Sequence, residues 1–134
     1  MFDSRRVLIV SSDSLQCEKA EELVGRLGLP SLRCGSLMDA RTRIDAEKFP
    51  FVLCGDELPD CNLRTAVRVL RSSTGGAPVI VLSHLADWDA CIKALSAGAF
   101  DYIACPPDPL ESERILRLAL AQNPPSTRAS HTAA

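Results

Sequence analysis

Four short runs of uninterrupted apolar residues recur along this 134-residue chain: residues 7–10 (VLIV), 51–54 (FVLC), 79–82 (VIVL) and 102–105 (YIAC). None alternates polar with apolar side chains, so each reads as a strand buried on both faces, the pattern of a parallel sheet. A fifth run, residues 30–34, is more polar and suits a sheet edge. The stretches between the runs carry helical periodicity instead. Cys17, Ala20, Val24 and Leu27 share one face with Leu23 beside them, and Leu37, Ala40 and Ile44 share another. Leu63, Ala66, Val67 and Leu70 follow the same i, i+3, i+4, i+7 spacing, as do Trp88, Cys91, Ile92 and Leu95, which gives Trp88 a core position. Ile115, Leu116, Ala119 and Leu120 face inward from the last helix. Five βα units in about 122 residues imply one α/β domain with helices on both faces of a parallel sheet and right-handed crossovers.

Local signals mark the ends of these elements. The SSDS run of residues 11–14 and the pair Ser36 and Asp39 supply helix-capping chemistry. Gly28 and Gly98 are helix stops, and Asp108, Pro109 and Glu111 form a helix start. Residues 1–122 make up the domain. The segment from Asn123, NPPSTRASHTAA, has almost no large apolar side chain and is expected to be a disordered tail or the start of a linker.

Composition excludes several function classes. Lys and Arg total 15 against 17 Asp and Glu, with no clustering, so direct nucleic-acid binding is not expected. No apolar run approaches the length of a membrane span, and the N-terminus does not resemble a signal peptide, so a cytoplasmic protein is expected. The six cysteines, Cys17, Cys34, Cys54, Cys61, Cys91 and Cys105, include no C-x-x-C pair and read as buried free thiols. His84 and His131 have no ligand partner near them in sequence, so no metal site is expected. No Gly-rich phosphate loop follows any strand, and no cofactor is expected.

Sites in open α/β sheets lie beyond the carboxyl ends of the strands. Here the stretch 49–60, FPFVLCGDELPD, takes a buried strand into Gly55, Asp56 and Glu57. Together with Leu58-Pro59-Asp60, the VLIV run before a polar triplet, and Ala94-Leu95-Ser96-Ala97-Gly98-Ala99-Phe100-Asp101-Tyr102, it carries a resemblance. Over about residues 5–122 the chain resembles the receiver domains of two-component response regulators, whose LPDG and AL-x-AGA-x-DY patterns these pieces follow. The resemblance implies a flavodoxin-like (βα)5 fold with strand order 2-1-3-4-5. In that family an aspartate ending the third strand accepts a phosphoryl group. Acidic residues after the first strand hold Mg²⁺, a Ser or Thr ends the fourth strand, and a Lys ends the fifth before a cis-proline.

Carried over residue by residue, the family's acidic pair falls on Ser11 and Ser12, its acceptor on Gly55 by the register of Pro59, and its Lys on Cys105. Only Ser83 and Tyr102 match. A glycine has nothing to phosphorylate, neutral serines are poor sole ligands for a hard cation, and a cysteine brings no positive charge to a phosphate. The expectation is therefore a pseudo-receiver: no enzyme, a degenerate pocket of Ser11, Ser12, Asp13, Gly55, Asp56, Ser83, Tyr102 and Cys105, and action by protein contact. The expected partner is a kinase or an output protein of a signalling pathway. The resemblance places the partner face on the fourth helix, fifth strand and fifth helix, with Trp88, Lys93, Tyr102 and Arg114, a face that could also form a homodimer.

Two rivals use neighbouring residues. Asp56, beside Gly55, could serve as a shifted acceptor with Asp13, although residues one apart on a strand point to opposite faces and both sit where caps and turns need them. Cys105 could be a redox thiol, although no nearby cation in sequence would lower its pKa.

Overall fold

The computed structural model describes residues 5–84 and 88–122. The expected tail from Asn123, with His131, lies outside the described residues. Strands β1 (Val7–Val10), β2 (Ser31–Cys34), β3 (Val52–Gly55), β4 (Val79–Ser83) and β5 (Asp101–Ala104) alternate with helices α1 (Ser14–Arg26), α2 (Leu37–Ala46), α3 (Leu63–Ser73), α4 (Trp88–Ser96) and α5 (Pro109–Gln122). All pairings are parallel, in the order β2-β1-β3-β4-β5. This is the flavodoxin-like (βα)5 arrangement that the resemblance implies.

The continuous apolar runs become strands because both of their faces are covered. On one face Val7, Ile9, Leu53, Ile80, Leu82 and Ile103 pack with Cys17, Leu23 and Val24 of α1 and Ile115, Leu116 and Ala119 of α5. On the other, Leu8, Val10, Val52, Cys54, Val79 and Val81 pack with residues of α2, α3 and α4. Burying about twenty such side chains, at roughly 1.5–3 kcal/mol each, is the main force holding the layers together. The edge strand β2 is only partly buried, in keeping with its polar sequence.

Helix starts are capped where the sequence signals them. Asp13 accepts from the N–H groups of Leu15 and Gln16, Ser36 from Asp39, and Asp108 from Glu111. Asp60, of the Leu-Pro-Asp motif, accepts one bond on each oxygen, from the main-chain N–H groups of Leu37 and Met38 in α2, both 3.0 Å. These contacts tie the loop after β3 to the neighbouring helix. All six cysteines are free thiols.

Helix α4 departs from expectation. Trp88 is 77% exposed, and Ile92 and Leu95 are also exposed. The residue that α4 buries is Ala94, with Cys91 and Ala97 half-buried. The helix sits against the sheet on its small residues, so the wide side chains at the core-like spacing point outward. β5 also begins one residue earlier than its apolar run. Its register pairs Ile80 with Asp101 and Ser83 with Ala104, which puts Cys105 just past the strand end, before the cis Cys105–Pro106 bond. Among the described residues no helix is long and apolar enough to cross a membrane.

Candidate functional site

The carboxyl ends of β1, β3, β4 and β5 bring together Ser11, Asp13, Gly55, Asp56, Ser83, His84 and Cys105. These residues form two adjoining corners of different character.

The first corner surrounds Gly55. Ser11 and Gln16 are buried at 4% exposure each. The Ser11 hydroxyl donates to Gln16 Oε1 at 2.7 Å, and Gln16 Nε2 donates to the Leu82 carbonyl at 3.2 Å. Gln16 projects from the first turn of α1, the turn capped by Asp13, and so lies across the end of β3. A Cβ added at Gly55 would stand 2.2 Å from Gln16 Oε1 and 3.1 Å from Ser11 Oγ. Gly55 is not at positive φ. A side chain here would have to displace the Gln16 amide, which is bonded at both ends, and press on Ser11.

The second corner is charged. The Asp56 carboxylate accepts from the Ser83 hydroxyl at 3.3 Å and from the main-chain N–H of His84 at 3.0 Å, both on Oδ2, while Oδ1 meets His84 Nδ1 at 2.8 Å. The other ring nitrogen, Nε2, meets Asp13 Oδ2 at 2.6 Å. Asp13 spends its Oδ1 on the α1 cap. The hydrogen bonds that its ring gives to Asp13 and to Asp56 hold the His84 pKa above its ordinary value of 6.5, because the imidazolium can donate from both nitrogens at once. The same His84 bond, aided by the Gln16 amide, holds the Asp13 carboxyl below its usual range.

Ser12 is exposed and Ser11 is committed to Gln16. The pair therefore does not fit the divalent cation that the receiver resemblance implies, and no residue here is taken as a metal ligand. Cys105 and Pro106 line a pocket of about 240 Å³ with Asp13, Leu15, Gln16, Lys19 and His84. Burial, then the negative charges of Asp56 and Asp13, push the Cys105 thiol up, so it stays protonated at neutral pH. Tyr102 is half-buried on β5 against the α4-side core. Lys93 pairs with Asp89 along α4, and Arg114 pairs with Glu111 along α5.

The structure thus gathers the expected Ser11, Asp13, Gly55, Asp56, Ser83 and Cys105 at one edge of the sheet. It adds two residues that sequence reasoning passed over, Gln16 and His84. His84 has no partner near it in sequence because its two carboxylates lie 28 and 71 positions away. Its place directly after Ser83, at a strand end of the kind that builds sites, was the available signal.

No family model matches the chain. The chain is 29% identical over 104 residues to the response regulator protein PilR of Pseudomonas aeruginosa, a match that covers 78% of this chain and 23% of PilR. It superposes with a TM-score of 0.81 and 27% identity on a protein from Chloroflexus aurantiacus described as a response regulator, covering 89% of this chain and 99% of the other. In fold and in sequence the chain is similar to response-regulator receiver domains. The beryllofluoride-activated NtrC4 receiver dimer, 19% identical, shares the receiver fold at a TM-score of 0.77, over 89% of this chain and 98% of its own. The chain spans about a quarter of the length of the curated relatives it matches.

Proposed function

We propose that this receiver domain acts as a pseudo-receiver in two-component signalling: a non-enzymatic module that works by protein–protein contact, without aspartyl phosphorylation. One observation carries the reading. The resemblance puts the acceptor position on Gly55, and Gln16 Oε1 lies 2.2 Å from where a Cβ there would be. The acceptor is missing, and a neighbouring side chain bonded at both ends occupies its place. The neutral Ser11 and Ser12, and Cys105 in the lysine position, agree with this.

The proposed partner is a kinase or an output protein, met through α4, β5 and α5 with Trp88, Lys93, Tyr102 and Arg114, and the same face serves a homodimer. The exposed Trp88, Ile92 and Leu95 support that face, since large apolar side chains grouped on one exposed helix surface are features of docking sites. Neither nucleic acid nor membrane is a direct partner, and a cytoplasmic location follows from the same reading.

Asp56 is a weaker rival acceptor, because three donors already use its oxygens. Cys105 is a weaker redox centre, because its surroundings disfavour the thiolate. The test is incubation with a small phosphodonor and Mg²⁺, followed by intact-mass measurement. An unchanged mass is expected. A stoichiometric phosphoryl adduct on Asp56 would overturn the proposal.

A further inference from the structure

His84 joins three loops. Its ring reaches Asp13 in the loop between β1 and α1 and Asp56 after β3, and its own main chain leaves the end of β4. Those two carboxylates are the charged groups hydrogen-bonded to the ring. Lys19 of α1 is the cation lining the same pocket, and Cys105, beyond β5, brings an uncharged thiol.

With the ring protonated, both nitrogens donate to carboxylates. A neutral imidazole has a single N–H and must present a lone pair on its other nitrogen. The Asp56 side is fixed by two further donors, the Ser83 hydroxyl and the His84 main-chain N–H. The Asp13 side is not: that carboxylate is 39% exposed, against 18% for Asp56, and it keeps its helix cap through the other oxygen. A neutral ring that kept its N–H on Nδ1, toward Asp56, would turn the Nε2 lone pair to Asp13 Oδ2 and open that contact.

We propose that a proton is a regulatory input of this domain: protonated His84 ties the β1–α1 loop to the ends of β3 and β4, and deprotonation releases Asp13 and changes the setting of the α4 N-terminus, which begins four residues later at Trp88. The inference rests on the pseudo-receiver reading for its meaning as an input that operates where phosphate does not. Its own test needs no phosphodonor, so the two can fail separately.

The experiment uses the full chain. Its two histidines are followed by ¹H–¹³C NMR against pH, with His131→Gln to assign them, and its single tryptophan, Trp88, is followed by fluorescence over the same range. His84 should titrate above 6.5 and Trp88 emission should change through the same midpoint. Asp13→Asn keeps a capping side chain but removes the charge, so it should move both midpoints down together. His84→Gln should leave the emission flat. An emission that ignores the His84 midpoint in the native chain, or that still shifts in His84→Gln, would overturn the proposal. So would a His84 that titrates at or below 6.5.

Discussion

The two corners at this sheet edge lie side by side and are built on opposite physics. Around Gly55 the groups are buried and neutral, and they are matched by shape: a hydroxyl, an amide, a carbonyl and a glycine with no room beside it. Around His84 the groups are charged and partly wet, and their bonding depends on a proton. A buried neutral network is indifferent to pH and intolerant of volume, because each polar group left unpaired costs about 1–3 kcal/mol. A half-exposed ionic one tolerates volume but follows pH, and solvent screens its strength. A glycine at the end of β3 with nothing beside it would leave an open cavity. Here Gln16 fills that corner and His84 keeps a titratable group in the next.

The sharpest way to break the comparison is to force volume into the closed corner. Gly55→Ala should expel the Gln16 amide and leave Ser11 and Leu82 without their partner, lowering stability by about 1–3 kcal/mol, read as the midpoint of urea unfolding. Adding Gln16→Ala should make the pair of changes strongly non-additive, since the double variant has no clash left to relieve. Simple addition of the two single effects would show that Gln16 does not fill the space beside Gly55.

Next in size is the cap that the two corners share. Asp13→Ala removes both the α1 cap and the link to His84, and should lower stability by less than Gly55→Ala does. The ionic part has a defined pH window. The His84 pKa is raised, so its contribution is complete below 6.5 and is lost as pH rises through the higher folded value. The Asp13 pKa is lowered, so its contribution is complete above 3.8 and is lost as pH falls through the lower folded value. The stability gap between native and variant chains should therefore be widest between those limits and narrow above them, measured by urea melts across pH. A gap that kept its full width at high pH would mean that the cap alone matters.

What could be read from the sequence follows the same division. The strands announced themselves because a parallel strand covered on both faces must be apolar throughout, and the caps because Asp13, Ser36 and Asp108 act within three residues of themselves. Gly55 could be placed because Pro59 sets the register of a local motif. Gln16 and His84 could not, because their roles exist only once residues 66, 28 and 71 positions away arrive beside them. Periodicity misread Trp88 because it reports which residues share a helix face, and Ala94 rather than the bulky stripe decides which face α4 presents to the sheet.

The smallest effect probes the border between the corners, where Cys105 lines one pocket with both Gln16 and His84. Its thiol is pushed up first by burial and then by Asp56 and Asp13. Neutralising either charge should lower that pKa and speed alkylation at mildly alkaline pH, where the thiolate is the reacting species. Asp56→Asn and Asp13→Asn should each raise the labelling rate by a factor of about two to ten, the change expected for a pKa moved by up to one unit. Gln16→Leu changes no charge and should leave the rate near the native value. Equal acceleration by all three variants would mean that Cys105 responds to loosened packing, and that the electrostatic reach of the charged corner ends before β5.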